Sequence, residues 1–284
     1  MNGPGVVTDP PVMGWIFQIV GPLVWLALAV YVIQQCRQRR HLTRNALVLI
    51  ATTTMWWQEW FGDWGAYIIY NPHFALMPWG STLWTTPNKP WAVILAYGWY
   101  YTLSFLAFFW LVDKLRARRP DIRPWVACVV IGIPVFYLAD LIIEGGAAML
   151  GMWSYDHYVG PALASPAGNF PLLYPVLFFT AWCALQASLV YSVDAQGFTP
   201  FDRLFGLHRW LTRTGSVSVD PNPSSRGGGV ATADRTEKTQ LSASAQAVRA
   251  LIWAVGFNAS YWVVFIFPVV LIRIITGPTS TLIP

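Results

Sequence analysis

Charge is what this chain has least of: Asp, Glu, Lys and Arg together make up 11% of its 284 residues, against about 25% in an ordinary soluble domain. So little charge rules against a conventional soluble enzyme or a nucleic-acid binder, and no nucleic-acid partner is expected. Cysteine is scarce too. Cys36, Cys128 and Cys183 stand apart in or beside apolar segments without any CxxC spacing, which excludes a disulfide framework and a thiolate metal site. A phosphate-cradling glycine motif, a dinucleotide fingerprint and a Ser-His-Asp nucleophile elbow are also missing, so neither ATP nor NAD chemistry is expected and no cofactor is called for. The first dozen residues lack a basic region ahead of the first apolar run, and no cleavable signal peptide is expected.

What the chain has instead is 55% hydrophobic residues and seventeen Trp. The apolar residues gather into six runs, at 13–34, 45–69, 91–112, 125–143, 171–193 and 250–276. Each is long enough to cross a hydrocarbon core of about 30 Å at about 1.5 Å per residue. The fold class this predicts is all-α: a single polytopic membrane domain of six transmembrane helices, multi-pass in the plasma membrane, with the lipid bilayer as its solvent. Sixteen of the eighteen basic residues fall after the first, third and fifth runs, which puts those loops inside and both termini outside. The net charge of +5 is therefore a topology signal before it is a partner signal. Residues 194–213 read as a surface amphipathic helix and 214–244 as a flexible cytoplasmic linker. The outward loops, 70–90 and 144–170, are rich in Pro, Gly, Trp and Tyr, a composition of ordered turns.

Acidic residues inside apolar runs are the sharpest signal, because a buried carboxyl is costly unless neutral, paired or facing a cavity. Glu59 and Asp63 lie four apart in WWQEWFGDW, and Asp140 and Glu144 repeat the interval in FYLADLIIEGG. On a helix each pair shares a face. Counted from the inner helix ends, Glu59 and Asp140 lie about 21–24 Å up and Asp63 and Glu144 about 27–30 Å up. If the faces converge, four carboxyls share a cavity walled by Trp56, Trp57, Trp60 and Trp64. Burial and like-charge proximity then separate their proton affinities, as general acid and general base work requires. The competing structural reading is that the acids reach the headgroup region and the indoles form an interfacial belt.

Other candidates surround these four. The outward loops carry Tyr70, Asn71, His73, Trp79, Ser81, Asp156 and His157, placed to cap such a cavity or to sit on the surface. Asn258 and Tyr261, with Tyr97, Tyr100 and Tyr101, supply hydrogen bonds at depth or serve as interhelical ties. The acids and histidines form no tight His-xxx-His or Glu-xx-His pattern, and no metal site is expected.

Several segments resemble the AveC-like spirocyclase family of actinobacterial membrane proteins. They are DWGAYIIYNPHF, MPWGSTLWTTPNKPW, GMWSYDHY, FPLLYPVLF, VDAQGFTPFDRL and VRALIWAVGFNASYW, spread over roughly residues 45 to 265. The resemblance implies a membrane-bound, cofactor-independent catalyst of spiroketal closure, sometimes with dehydration, in polyketide biosynthesis. It carries over no catalytic set. The acids therefore rest on depth and spacing: Glu59, Asp63, Asp140 and Glu144 as catalytic candidates, and Trp56, Trp60, Tyr70, Asn71, His73, Trp79, Asp156, His157 and Asn258 as substrate-binding candidates. The expected substrate is a lipophilic polyketide-like small molecule, and a homo-oligomer is compatible with the chain. A membrane terpene cyclase shares the need for an acid and aromatic walls, so that chemistry stays open. So do a transporter subunit and a scaffold subunit, although repeated halves and paired broken helices are missing.

Overall fold

The computed structural model describes residues 12–78, 89–173, 179–194, 197–213 and 241–277; Trp79, Ser81 and most of the expected linker lie outside them. The protein is mostly helical. Four helices are long and apolar enough to cross a membrane: Val12–Arg39, Val93–Arg118, Pro124–Met149 and Ala243–Ile275. The first is α1 and the second α4. The third joins α5 (Pro124–Asp140) through a π turn at Leu141–Gly145 to α6 (Gly146–Met149), and the fourth joins α10 (Ala243–Tyr261) through a π turn at Trp262–Ile266 to α11 (Phe267–Thr276). Arg37 and Arg39 end α1 and Arg116 and Arg118 end α4, where cations complement the helix dipole.

The expected span at 45–69 is not one helix. It divides into α2 (Arg44–Thr53), a single 3-10 turn at Trp56–Gln58 and α3 (Glu59–Ala66). The break follows a threonine run. Thr52 Oγ1 donates to the Val48 carbonyl at 2.9 Å and Thr54 Oγ1 to the Ala51 carbonyl at 2.7 Å, and such back-bonding bends helices. In the fifth run the described helix is α7 (Ala181–Val190), ten residues long and packed on α5. Behind the break, α2 packs between α4 and α10, and α3 packs on α11. A Cβ on Gly65 would stand 2.8 Å from Val269 and 3.0 Å from the Val270 nitrogen, so only glycine lets α3 approach α11 this closely.

The fold departs from all-α at the loops. Strand β1 (Ile68–Tyr70) pairs antiparallel with β2 (Trp153–Tyr155), Ile68 opposite Tyr155 and Tyr70 opposite Trp153. Strand β3 (Ala162–Ala164) pairs with β4 (Asn169–Pro171). Loop backbone buried under aromatic side chains needs partners, and the β-branched and aromatic residues of β1 suit a short ladder. The first sheet ties the loop after α3 to the loop after α6.

At the opposite, basic end, 194–213 is not a single helix. It forms α8 (Pro200–Leu204) and α9 (Leu207–Arg213), separated at Gly206, where φ is +71°. Phe201, Leu207 and Leu211 are buried, while Leu204, Phe205 and Trp210 are exposed. Asp202 fastens this segment to α10. Its carboxylate accepts from the Thr199 backbone N–H and hydroxyl at 2.9 Å each, from Arg249 Nη2 at 2.8 Å and from Trp253 Nε1 at 2.8 Å. Removing that acceptor leaves a buried guanidinium uncompensated. Asp202→Ala is expected to cost about 3–5 kcal/mol, seen as a lower thermal unfolding midpoint in detergent. Arg203→Ala, which removes an ion pair to Asp194 about a third exposed on each side, is expected to cost less than about 1 kcal/mol.

Candidate active site

Helix periodicity presents Glu59 and Asp63 from α3, and Asp140 and Glu144 from the α5–α6 junction, toward the bundle interior. All four carboxyl residues line one cavity. Its other walls are Tyr97, Tyr100 and Tyr101 from α4, Tyr261 and Phe265 from the last helix, Phe17 from α1, and Tyr70, Trp153 and Tyr155 from the strands. Both π turns border it: one starts after Asp140 and contains Glu144, the other starts after Tyr261 and contains Phe265. Extra-residue turns of this kind often occur at functional sites. Counting its mouth, the cavity holds about 750 Å³ of empty space, yet the room in which a water molecule's centre can move is about 80 Å³. Several waters fit, whereas a larger ligand requires the aromatic side chains to shift.

Glu59, Asp63 and Asp140 have different partners. Glu59 stands in the first turn of α3, where the helix dipole favours an anion. Tyr70 donates to its Oε1 at 2.9 Å and Tyr97 donates to its Oε2. The Tyr97 hydroxyl also meets that of Tyr261 at 3.1 Å, and Tyr101 donates to Tyr261 at 3.2 Å, so a line of phenols runs inward from Glu59. Asp63 is buried in an ion pair with Lys89, whose ammonium also stands 4.8 Å from the centre of the Tyr70 ring. Burial pushes Lys89 down from the ordinary lysine range to about 7, and the Glu59 carboxylate acts in the opposite direction. Asp140 accepts from Tyr100 at 3.3 Å through Oδ1, while Oδ2 is buried with no hydrogen-bond partner among the described residues. An unsatisfied buried acceptor is costly and calls for an explanation. Among the described residues no group of three or more His, Cys, Asp or Glu side chains is close enough to hold a metal ion; the carboxyls surround one space without meeting at a point.

The other expected residues separate into those at the cavity and those elsewhere. Tyr70 lines it. The four expected indoles do not appear in its wall. Trp56 packs edge-on against Trp60 at 5.3 Å, Trp57 stacks on Trp262 at 5.9 Å, and Trp64 lies 3.9 Å beneath the Arg273 guanidinium. Trp99 and Trp153 supply indoles to the wall instead, and the Nε1 of each is buried with no hydrogen-bond partner among the described residues. Asn258 is an interhelical tie, its Oδ1 accepting from Trp57 at 2.9 Å and Gln58 at 2.7 Å. Asn71 is buried and shapes its loop, donating to the Gly151 carbonyl at 3.0 Å and accepting from the His73 backbone N–H at 3.0 Å; the His73 side chain is exposed. Asp156 and His157 pair at 3.3 Å, and the His157 ring meets Tyr67 edge-on at 5.1 Å. With Arg273 over Tyr67 at 4.0 Å, they form a second cluster beside the cavity rather than within it.

Two of these residues were discoverable from charge alone. Lys89 and Arg273 are the two basic residues that lie apart from the three basic loops, and both are buried against acids or aromatic rings. A cation that breaks the topology rule is there because something local holds it. Tyr155 is a different case: its place beside the acids comes from the pairing of strands far apart in sequence.

A family model described as Spirocyclase AveC-like matches residues 38–217, a stretch that contains all four carboxyls and Lys89. The chain matches no curated protein and no solved structure. The Lys89–Asp63 pair supports a test of its own. Lys89→Met strands a buried carboxylate and is expected to cost about 3–5 kcal/mol. Adding Asp63→Asn to that variant is expected to restore most of the loss, a coupling that a double-mutant cycle of thermal midpoints reads directly.

Proposed function

We propose, from the premise that the chain belongs to the AveC-like spirocyclase family, that it is a membrane-embedded acid-base cyclase closing a spiroketal in a lipophilic, polyketide-like molecule. The observation that carries this reading is the unequal partnering of four carboxyls around one cavity. Glu59, held by two phenols at a helix N-terminus, acts as the base. Asp140, with one oxygen unoccupied and Glu144 a turn away, acts as the acid. The Lys89–Asp63 pair fixes the local charge, and Tyr70, Tyr97 and Tyr261 orient Glu59.

The steps balance without a redox partner. One substrate hydroxyl adds to the ketone to give a hemiketal. The acid protonates the hemiketal hydroxyl, the C–O bond breaks and water leaves, forming an oxocarbenium ion. The second hydroxyl attacks that carbon, and the carboxylate takes its proton. One water is lost and both acids return to their starting states after proton exchange. A site closed to bulk water protects the cation from capture, and aromatic ring faces attract positive charge. The same ring lining also favours a second reading, a cationic terpene-type cyclisation. The two differ in the product: loss of water from a dihydroxy ketone, or new carbon–carbon bonds.

In the proposed topology six segments cross the plasma membrane, two of them broken or short, with the basic loops inside and both termini outside. A lipophilic substrate then reaches the cavity laterally from the bilayer. Glu59→Gln and Asp140→Asn are each expected to slow turnover by about a hundredfold to ten-thousandfold while the thermal midpoint stays near that of the parent. Full turnover in both variants, measured as product by mass spectrometry, would remove the acid and base from these residues.

A further inference from the structure

A second hollow lies at the other end of the bundle, between the inner halves of α1 and α2 and the start of α10. Its walls are apolar, built from Ala29 and Ile33 of α1 and Ala46, Leu49 and Ile50 of α2, and it ends at Trp25. The polar groups at that deep end are satisfied internally, Trp25 Nε1 donating to Thr53 Oγ1 at 2.9 Å and Thr54 Oγ1 to the Ala51 carbonyl at 2.7 Å. The room for a water-sized centre is about 670 Å³, far more than in the acid cavity. Charge occurs at one end alone, where Arg37, Arg40 and His41 border the hollow.

Arg40 has a conformation that side chains avoid. Its φ is +60°, and it is one of two non-glycine residues with positive φ among those described. The position follows the C-terminus of α1, where glycine is the ordinary occupant and an L side chain is strained. Strain of this kind is tolerated where a side chain has a task. Here it holds a guanidinium at the mouth of a trough shaped for a chain.

We propose that this hollow binds one anionic glycerophospholipid, with an acyl chain along Ala29, Ile33 and Leu49 and the phosphate between Arg37 and Arg40. The charge pattern distinguishes it from general lipid contact: a zwitterionic headgroup carries its own cation into the pair of arginines, whereas an anionic one does not. The site also bears on α1, of whose membrane-crossing window 17% is buried. The same helix supplies Phe17 to the acid cavity, and its Gln18 Oε1 accepts from the Ala75 backbone N–H at 2.7 Å. A lipid wedged behind the inner half of α1 therefore seats the helix that closes the cavity at its outer half.

The test uses the full chain in nanodiscs of phosphatidylcholine with graded phosphatidylglycerol, read by native mass spectrometry for retained lipid and by thermal midpoint. One phosphatidylglycerol is expected to be retained about thirtyfold over phosphatidylcholine, from about 1 kcal/mol for each arginine. Arg37→Gln with Arg40→Gln is expected to bring the ratio near one. Arg39→Gln, on the same turn but outside the hollow, is expected to leave it unchanged. Arg40→Gly guards against simple misfolding: it relieves the left-handed strain, so in pure phosphatidylcholine its midpoint is expected to stay or rise while selectivity falls about fivefold. Equal retention of the two lipids by the parent, or selectivity that survives the double replacement, would overturn the proposal.

Discussion

A carboxyl group inside an apolar bundle has to be matched by a proton, a cation or hydrogen-bond donors, and four such groups around one space dominate this structure. Three of them are matched in three different ways. Glu59 has two phenols and a helix N-terminus, Asp63 has a lysine, Asp140 has one phenol and an open oxygen. Had every acid been paired like Asp63, the cavity would be a structural knot. The incomplete matching at Asp140 leaves a group able to meet a ligand.

The backbone irregularities follow from the same constraint. A continuous helix through 45–69 would carry the acids up a straight wall, whereas the break after Thr53 lets α3 start afresh with Glu59 in its first turn and run against α11. Two π turns widen the helices beside the acids. Non-helical backbone at membrane depth is tolerated where protein or a cavity surrounds it, and here the irregular segments gather around one. The short sheet between β1 and β2 then fixes Tyr70 and Tyr155 over the site. At the far end, the Asp202 latch holds the connection before α10, a fully satisfied carboxylate that contrasts with the partly satisfied ones above.

Much of the acid site was legible in the sequence because helical periodicity is local. The interval from Glu59 to Asp63 and its repeat from Asp140 to Glu144 put each pair on one face, and both faces do line the same cavity. The wall was legible in part. Tyr97, Tyr100, Tyr101 and Tyr261, candidates for hydrogen bonds at depth, do line the cavity, whereas Trp56, Trp57, Trp60 and Trp64, close to Glu59 along the chain, pack on other partners. The broken helix was hidden by averaging: residues 45–69 are apolar enough to read as a span, while the bend is set by hydroxyl groups in a short threonine run. The pairing of β1 with β2 joins segments more than eighty residues apart, which no local pattern records. Lys89 and Arg273 were written in the sequence as exceptions to the charge map, and their meaning appears only beside Asp63 and Trp64.

The proposed closure makes a definite statement about one oxygen atom. In acid-assisted spiroketal formation both ring oxygens come from the substrate's hydroxyls, and the ketone oxygen departs as water. The most direct measurement is a single turnover by the purified protein in nanodiscs, with no added cofactor, on a lipophilic dihydroxy ketone carrying heavy oxygen at the ketone. The expected product is an unlabelled spiroketal lighter than its substrate by one labelled water. Product that retains the heavy oxygen, or no product from any such ketone, would contradict it.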